Sequence, residues 1–236
     1  YGKDKGGPPL ETLIEHLSEL RDLEWIRIMY THPDHYTAAL LDSMASLPKV
    51  IPYLDIPIQH VASAVLQRMG RKGDPGRLLG LMEKLREKIQ GLVLRTSLIV
   101  GFPGETEDHF QALIRFVKDV KFERLGSFIY SAEEGTPAAL LKGAVPPELA
   151  LERHERLMET QAEIVKTFHD SLVGWEGMMI IDEVDTERYT ITGRTYMDAP
   201  DVDCTVTVKV ETPPEGPFTR IGIISADVYD LEAQLV

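Results

Sequence analysis

Residues 92–110 read LVLRTSLIVGFPGETEDHF, and a change of periodicity inside this run decides the fold class. Leu92 to Val100 is a nearly continuous apolar stretch, as in strands covered on both faces of a parallel sheet. A Gly101-Phe102-Pro103-Gly104 turn follows, and Glu107 to Val120 then repeats apolar residues at helical spacing. Strand, tight turn and amphipathic helix make one βα unit. Outward from it the pattern recurs: helix Leu10–Leu23, strand Trp25–Tyr30, helix Tyr36–Leu47, strand Tyr53–Ile58, helices Ala62–Met69 and Arg77–Ile89, and strand Arg124–Tyr130. The class is α/β with parallel strands. Four such strands cannot close a barrel of eight, so they form an open sheet or a partial (β/α) barrel that looks truncated at its amino end.

Pro146 and Pro147 open a helix of about 25 residues, with Leu157, Gln161, Ile164, Val165, Phe168 and Leu172 on one face and Glu and Arg on the other. Gly174 suits a left-handed cap. Beyond it the pattern turns to short alternating strands: Gly177–Val184, Tyr189–Gly193, Thr205–Glu211, Arg220–Ala226 and Leu231–Val236. Five antiparallel strands in so short a span suggest a small closed barrel of the oligonucleotide-binding type. The expected division is residues 1–146, a connecting helix 147–174 and a barrel 175–236.

Composition narrows the function. The 236 residues are 43% apolar, which excludes disorder as the whole answer. The net charge is −13, and from Trp175 onward thirteen acidic residues face four basic ones. A phosphate backbone is then a poor partner and a basic macromolecule a better one. No apolar run reaches the length of a membrane span and no leader precedes Tyr1, so a soluble cytoplasmic protein is expected; a start without Met also suggests a processed or excised segment. Cys204, the single cysteine, cannot form an internal disulfide, a four-thiolate zinc site or the ligand set of an iron–sulfur cluster.

Ligands of open parallel sheets sit beyond the carboxyl ends of the strands. That rule nominates Tyr30-Thr31-His32, Ile58-Gln59-His60, Val100 to Glu105, and Tyr130-Ser131 with Glu133, Glu134 and Gly135. The glycines around Pro103 fit either a tight βα turn or close backbone approach to a ligand, with Glu105, Glu107 and Asp108 in the first turn of the next helix disfavouring phosphate. Gln59 and His60 fit a ligand contact or a helix-entry turn. Arg95 and Ser97 share one strand face with Ile99, and a charge there needs an internal partner or a ligand carboxylate. Pro33 separates His32 from His35, and no third ligand adjoins them, which argues against a metal. In the terminal module, Gly193 to Asp203 gathers Asp198, Asp201 and Asp203 beside an exposed Tyr196. It reads as a solvated acidic loop or as a dock for a cationic protein.

The runs YLDIPIQHVASAVLQRMGR, LRTSLIVGFPGETEDHF, FIYSAEEGTPAA and GRTYMDAPDVD, in this order, resemble the radical S-adenosylmethionine methylthiotransferases of the RimO type, which modify an aspartate of ribosomal protein S-twelve. The tRNA-modifying sister family is similar over the barrel, but Gln59-His60, Thr96-Ser97 and the loop after Thr195 fit it less well. The resemblance implies a partial radical-SAM barrel followed by a TRAM domain. It also implies S-adenosylmethionine and two 4Fe-4S clusters, whose binding regions are absent here. In the family the reduced cluster cleaves S-adenosylmethionine to a deoxyadenosyl radical, and a methylated sulfur is transferred to the target carbon. On matching positions it assigns Gln59 and Ser97 to the ribose or amino-acid portion, Arg95 to the methionyl carboxylate, Ile99 and Gly101 to the adenine face, and Phe128 and Tyr130 beside the adenine. It also implies docking of the ribosomal protein, or the small ribosomal subunit, at Tyr196, Asp198, Asp201 and Asp203, with tRNA disfavoured.

Overall fold

A computed structural model describes residues 6–236; Tyr1 lies outside them. The chain divides into two compact units, Tyr1–Gln161 and Ala162–Val236, with the boundary inside one long helix.

The first unit contains α1 (Leu10–Ser18), β1 (Ile26–Ile28), α2 (Ala38–Ser46), β2 (Val50–Asp55), α3 (Ser63–Arg68), α4 (Pro75–Lys88), β3 (Val93–Val100), α5 (Glu107–Val120), β4 (Arg124–Ile129) and the first part of α6 (Pro147–Ser171). The strands form one sheet in the order β1-β2-β3-β4, every pair parallel. Helices start where side chains cap them: Thr37 accepts from Leu40 N–H, Asp74 from Arg77 N–H ahead of Pro75, and Thr106 from His109 N–H. α5 occupies its expected limits. Phe110, Leu113, Phe116, Val117 and Val120 make a buried stripe, each apolar side chain stabilising by about 2 kcal/mol. Pro52 in β2 lacks a ladder donor, and the β1–β2 register skips across it, pairing Ile26 with Val50 and then Ile28 with Leu54.

On β3, Leu94, Thr96, Leu98 and Val100 are buried on one face, while Arg95, Ser97 and Ile99 are half-buried on the other. Register places Asp55 and Arg124 beside Arg95, Gly126 beside Ser97, and Phe128 beside Ile99 on that same face.

The second unit holds β5 (Glu176–Asp185), β6 (Thr190–Arg194), β7 (Thr205–Lys209), β8 (Phe218–Ala226) and β9 (Asp230–Leu235), closed in the order β5-β6-β7-β9-β8. The five-stranded closed barrel agrees with expectation, with one refinement: β7 pairs with β9 in parallel, while the other four seams are antiparallel. The β8–β9 hairpin brings β9 back beside β7, and that return path leaves the two strands running the same way. Met179, Ile191, Val206, Val208, Ile221 and Leu231 fill the interior. Among the described residues no helix is long and apolar enough to cross a membrane.

Candidate functional site

The carboxyl ends of β2, β3 and β4 converge at one mouth, and hydrogen bonds fix their loops. Gln59 takes up a left-handed conformation, φ 67°. Its N–H donates to Ser97 O at 2.9 Å and its carbonyl accepts from Ile99 N–H at 2.7 Å, so the residue extends the sheet by one bridge. Arg95, Ser97 and Ile99 therefore line one face with Gln59 at its edge and Phe128, 55% exposed, across the β3–β4 register.

Arg95 lies 3.1 Å from Asp55 Oδ1. The alternative of an internal partner is thus realised, and the charge does not require a ligand carboxylate to be stable. Nothing in the sequence alone singles out Asp55, although parallel register, once known, puts it next to Arg95.

Gly101, at φ 74°, makes a close approach to α6 instead of to the open mouth. A Cβ built on it would stand 2.6 Å from Ala150 Cβ. Its N–H donates to Glu105 Oε2 at 2.7 Å. Glu105 precedes the helix cap Thr106 and does not belong to the first turn of α5, which corrects the sequence reading. Its carboxylate is buried and meets Arg153 of α6 at 2.9 Å. Burial pushes its pKa up, while Arg153 and the Gly101 and Phe102 amides pull it down. The sequence reading puts Arg and Glu of α6 on its solvent face, and Arg153 departs from it; the residue lies four before Leu157 and eight before Gln161, all three buried, and that spacing carries the signal.

Tyr130 packs edge-on to Phe102, ring centroids 4.9 Å apart, on a cluster with Ala62 and Val65 that also receives Ile99. The Tyr130 hydroxyl is buried at the strand mouth without a hydrogen-bond partner. Ile99, Phe128 and Tyr130 thus bring apolar surface beside the half-buried Arg95, Ser97 and Gln59, the mixture found in small-molecule sites. Among the described residues no group of His, Cys, Asp or Glu side chains is placed to hold a metal, and Cys204 is a lone thiol in the barrel unit. An iron–sulfur cluster does not fit these residues. His32 instead accepts from Asp34 N–H and caps a short 3-10 turn.

In the barrel, the loop expected to be exposed is largely folded inward. Asp198 is fully buried and receives the Thr195 hydroxyl at 3.1 Å, Tyr196 is half-buried against Trp175, and Asp203 accepts from Ala199 N–H at 2.9 Å. Their carboxylate and ring contacts shape the loop, correcting the expectation that all four residues face solvent. Asp201, at φ 64°, is the exposed carboxylate of the group. Of the four barrel cations, Arg188, Arg194 and Arg220 pair with Asp185, Asp182 and Glu176, and the thirteen carboxylates of this module outnumber its cations by nine.

Residues 2–117 match the Radical SAM superfamily and residues 173–236 the TRAM domain. The chain thus carries a match to the radical SAM class followed by a TRAM domain. Over its whole length it is similar to proteins of the RimO family. The "Ribosomal protein uS12 methylthiotransferase RimO" of Carboxydothermus hydrogenoformans is 40% identical over all of this chain and 54% of its own length. The protein of the same name from Thermosipho africanus is 42% identical over all of this chain and 54% of its own. The chain thus spans about half the length of these relatives. Coproporphyrinogen III oxidase (HemN) from Escherichia coli shares the fold at TM-score 0.55 and 20% identity, over 69% of this chain and 40% of that one.

Proposed function

We propose that this chain is the cofactor-cradling and substrate-docking part of a radical S-adenosylmethionine methylthiotransferase that modifies an aspartate of ribosomal protein uS12. The observation that carries the reading is the continuous face of Arg95, Ser97 and Ile99 at the strand ends, edged by Gln59. Gln59 and Ser97 would hold the ribose or amino-acid portion of S-adenosylmethionine. Arg95, steadied by Asp55, would meet the methionyl carboxylate. Ile99, Phe128 and Tyr130 would flank the adenine, and Gly101 would support that side by seating α6 against the turn. When bound, S-adenosylmethionine supplies a radical-forming group; the residues here bind and orient it and keep water from its adenosyl end. Ligands for the two 4Fe-4S clusters of such an enzyme are not among these 236 residues.

The surface of the barrel supports a cationic polypeptide as the partner, whether free uS12 or uS12 on the small ribosomal subunit, and with it a cytoplasmic location. Clustered carboxylates attract such a partner at long range and repel a polyanion. Fluorescence anisotropy at several salt concentrations tests this. Labelled uS12 is expected to bind with an affinity that falls as salt rises, and a tRNA anticodon stem is expected not to compete. Tighter binding of the tRNA stem would assign the chain to tRNA modification instead.

A further inference from the structure

The buried charges around Glu105 make none of the cofactor contacts proposed above. The side chains of Glu105 and His60 are wholly excluded from solvent, and Arg153 is 3% exposed. Glu105 Oε2 accepts from Gly101 N–H at 2.7 Å and from Phe102 N–H at 3.4 Å, while Oε1 accepts from Arg153 Nη1 at 2.9 Å. The Glu105 N–H returns to Phe102 O at 2.9 Å. His60 Nδ1 accepts from Ala62 N–H, which puts the ring proton on Nε2, 3.9 Å from Glu105 Oε2. The ends of β2 and β3 and the helix α6 therefore converge on one carboxylate.

An ion pair buried this fully adds little net stability, because desolvating two charges offsets most of their attraction. It does supply direction: a carboxylate with both oxygens committed holds the donors on its two sides in fixed relation. Phe102, whose N–H is one of those donors, lays its ring against Tyr130 and shares a cluster with Ile99. A shift of the turn would move both residues of the mouth.

We propose that Arg153, acting through Glu105, is a positioning residue that fixes the Gly101–Phe102 turn and with it the adenosyl-facing side chains of Ile99 and Tyr130. The inference rests on the S-adenosylmethionine reading given under Proposed function. Arg153 touches neither cofactor nor reacting atoms, and its effect passes through the Gly101 and Phe102 amides.

The test titrates S-adenosylmethionine into the 236-residue chain by calorimetry and follows the Gly101 and Phe102 amide resonances by NMR. Wild type, Arg153→Lys, Arg153→Gln and the double variant Arg153→Gln with Glu105→Gln are compared. Arg153→Gln is expected to weaken binding about tenfold and to shift the Gly101 amide, with Arg153→Lys partway in both. The double variant is expected to recover most of the affinity, because the side-chain amide oxygen that Glu105→Gln introduces still accepts from Gly101 N–H and no charge is left unpaired. A shifted Gly101 amide with unchanged affinity overturns the proposal, and so does an unshifted amide in both single variants. So does an affinity loss that follows the melting temperature and not the amide shift. If Arg153→Gln does not fold, Arg153→Lys decides by the same criteria. If the wild-type chain takes up no S-adenosylmethionine, the cofactor reading fails, and the clamp then stands or falls on whether Arg153→Lys moves the two amides.

Discussion

His60 has one ring nitrogen committed to the Ala62 amide and no exposure to water. Burial, then the neighbouring His109 and Arg153 charges, push its pKa down to about 3. The ordinary histidine value is 6.5, so below that pH the unfolded chain takes up a proton that the folded chain refuses. This contribution to stability is complete above the ordinary value and is lost as the pH falls towards the folded one. The expected loss is about 1.4 kcal/mol per pH unit. Glu105 has the opposite sign: its raised pKa favours the folded state at low pH, and that contribution disappears as pH rises through the folded value. The difference between wild type and His60→Gln isolates the histidine. Urea melts at a series of pH values between the two limits should show the wild-type chain losing stability on acidification faster than the variant, and parallel curves would refute the buried neutral assignment.

At the scale of elements, α6 and the end of β3 meet at close range. Gly101 combines a positive φ with a neighbour, Ala150, standing where its Cβ would be. Gly101→Ala must strain the backbone and push α6 outward, an expected cost of about 3 kcal/mol. Adding Ala150→Gly should return part of it, because the second change removes the clash but not the strain; chemical denaturation measures both. At this scale the sequence is legible where periodicity follows a clear turn, as in α5, whose apolar spacing after Gly101–Gly104 gives its limits. It is less legible where neighbours are supplied by tertiary pairing. The partner of Arg95 depends on the β2–β3 register, the inward turn of Arg153 on which face of α6 meets the Glu105 carboxylate, and the parallel β7–β9 seam on the return path of β9. Asp198 reads as solvated because its sequence neighbours are acidic, and the Thr195 hydroxyl that accompanies its burial is as common in exposed turns.

Across the whole molecule the charge is the property least dependent on local detail. The −13 total and the pairing of three of the four barrel arginine and lysine side chains leave a surface whose long-range field favours cations. Asp201→Asn, on the exposed part of the loop, is expected to reduce the slope of uS12 affinity against salt by a small amount while leaving the melting temperature unchanged; an unaltered slope would remove Asp201 from the docking surface. The central claim, that the mouth of the parallel sheet cradles S-adenosylmethionine, is tested most directly by titrating the ligand into isotopically labelled protein and mapping the perturbed amides. The account expects them to cluster at Gln59, Ser97, Ile99, Phe128 and Tyr130. Perturbations confined to the barrel unit, or none at saturating ligand, would contradict it.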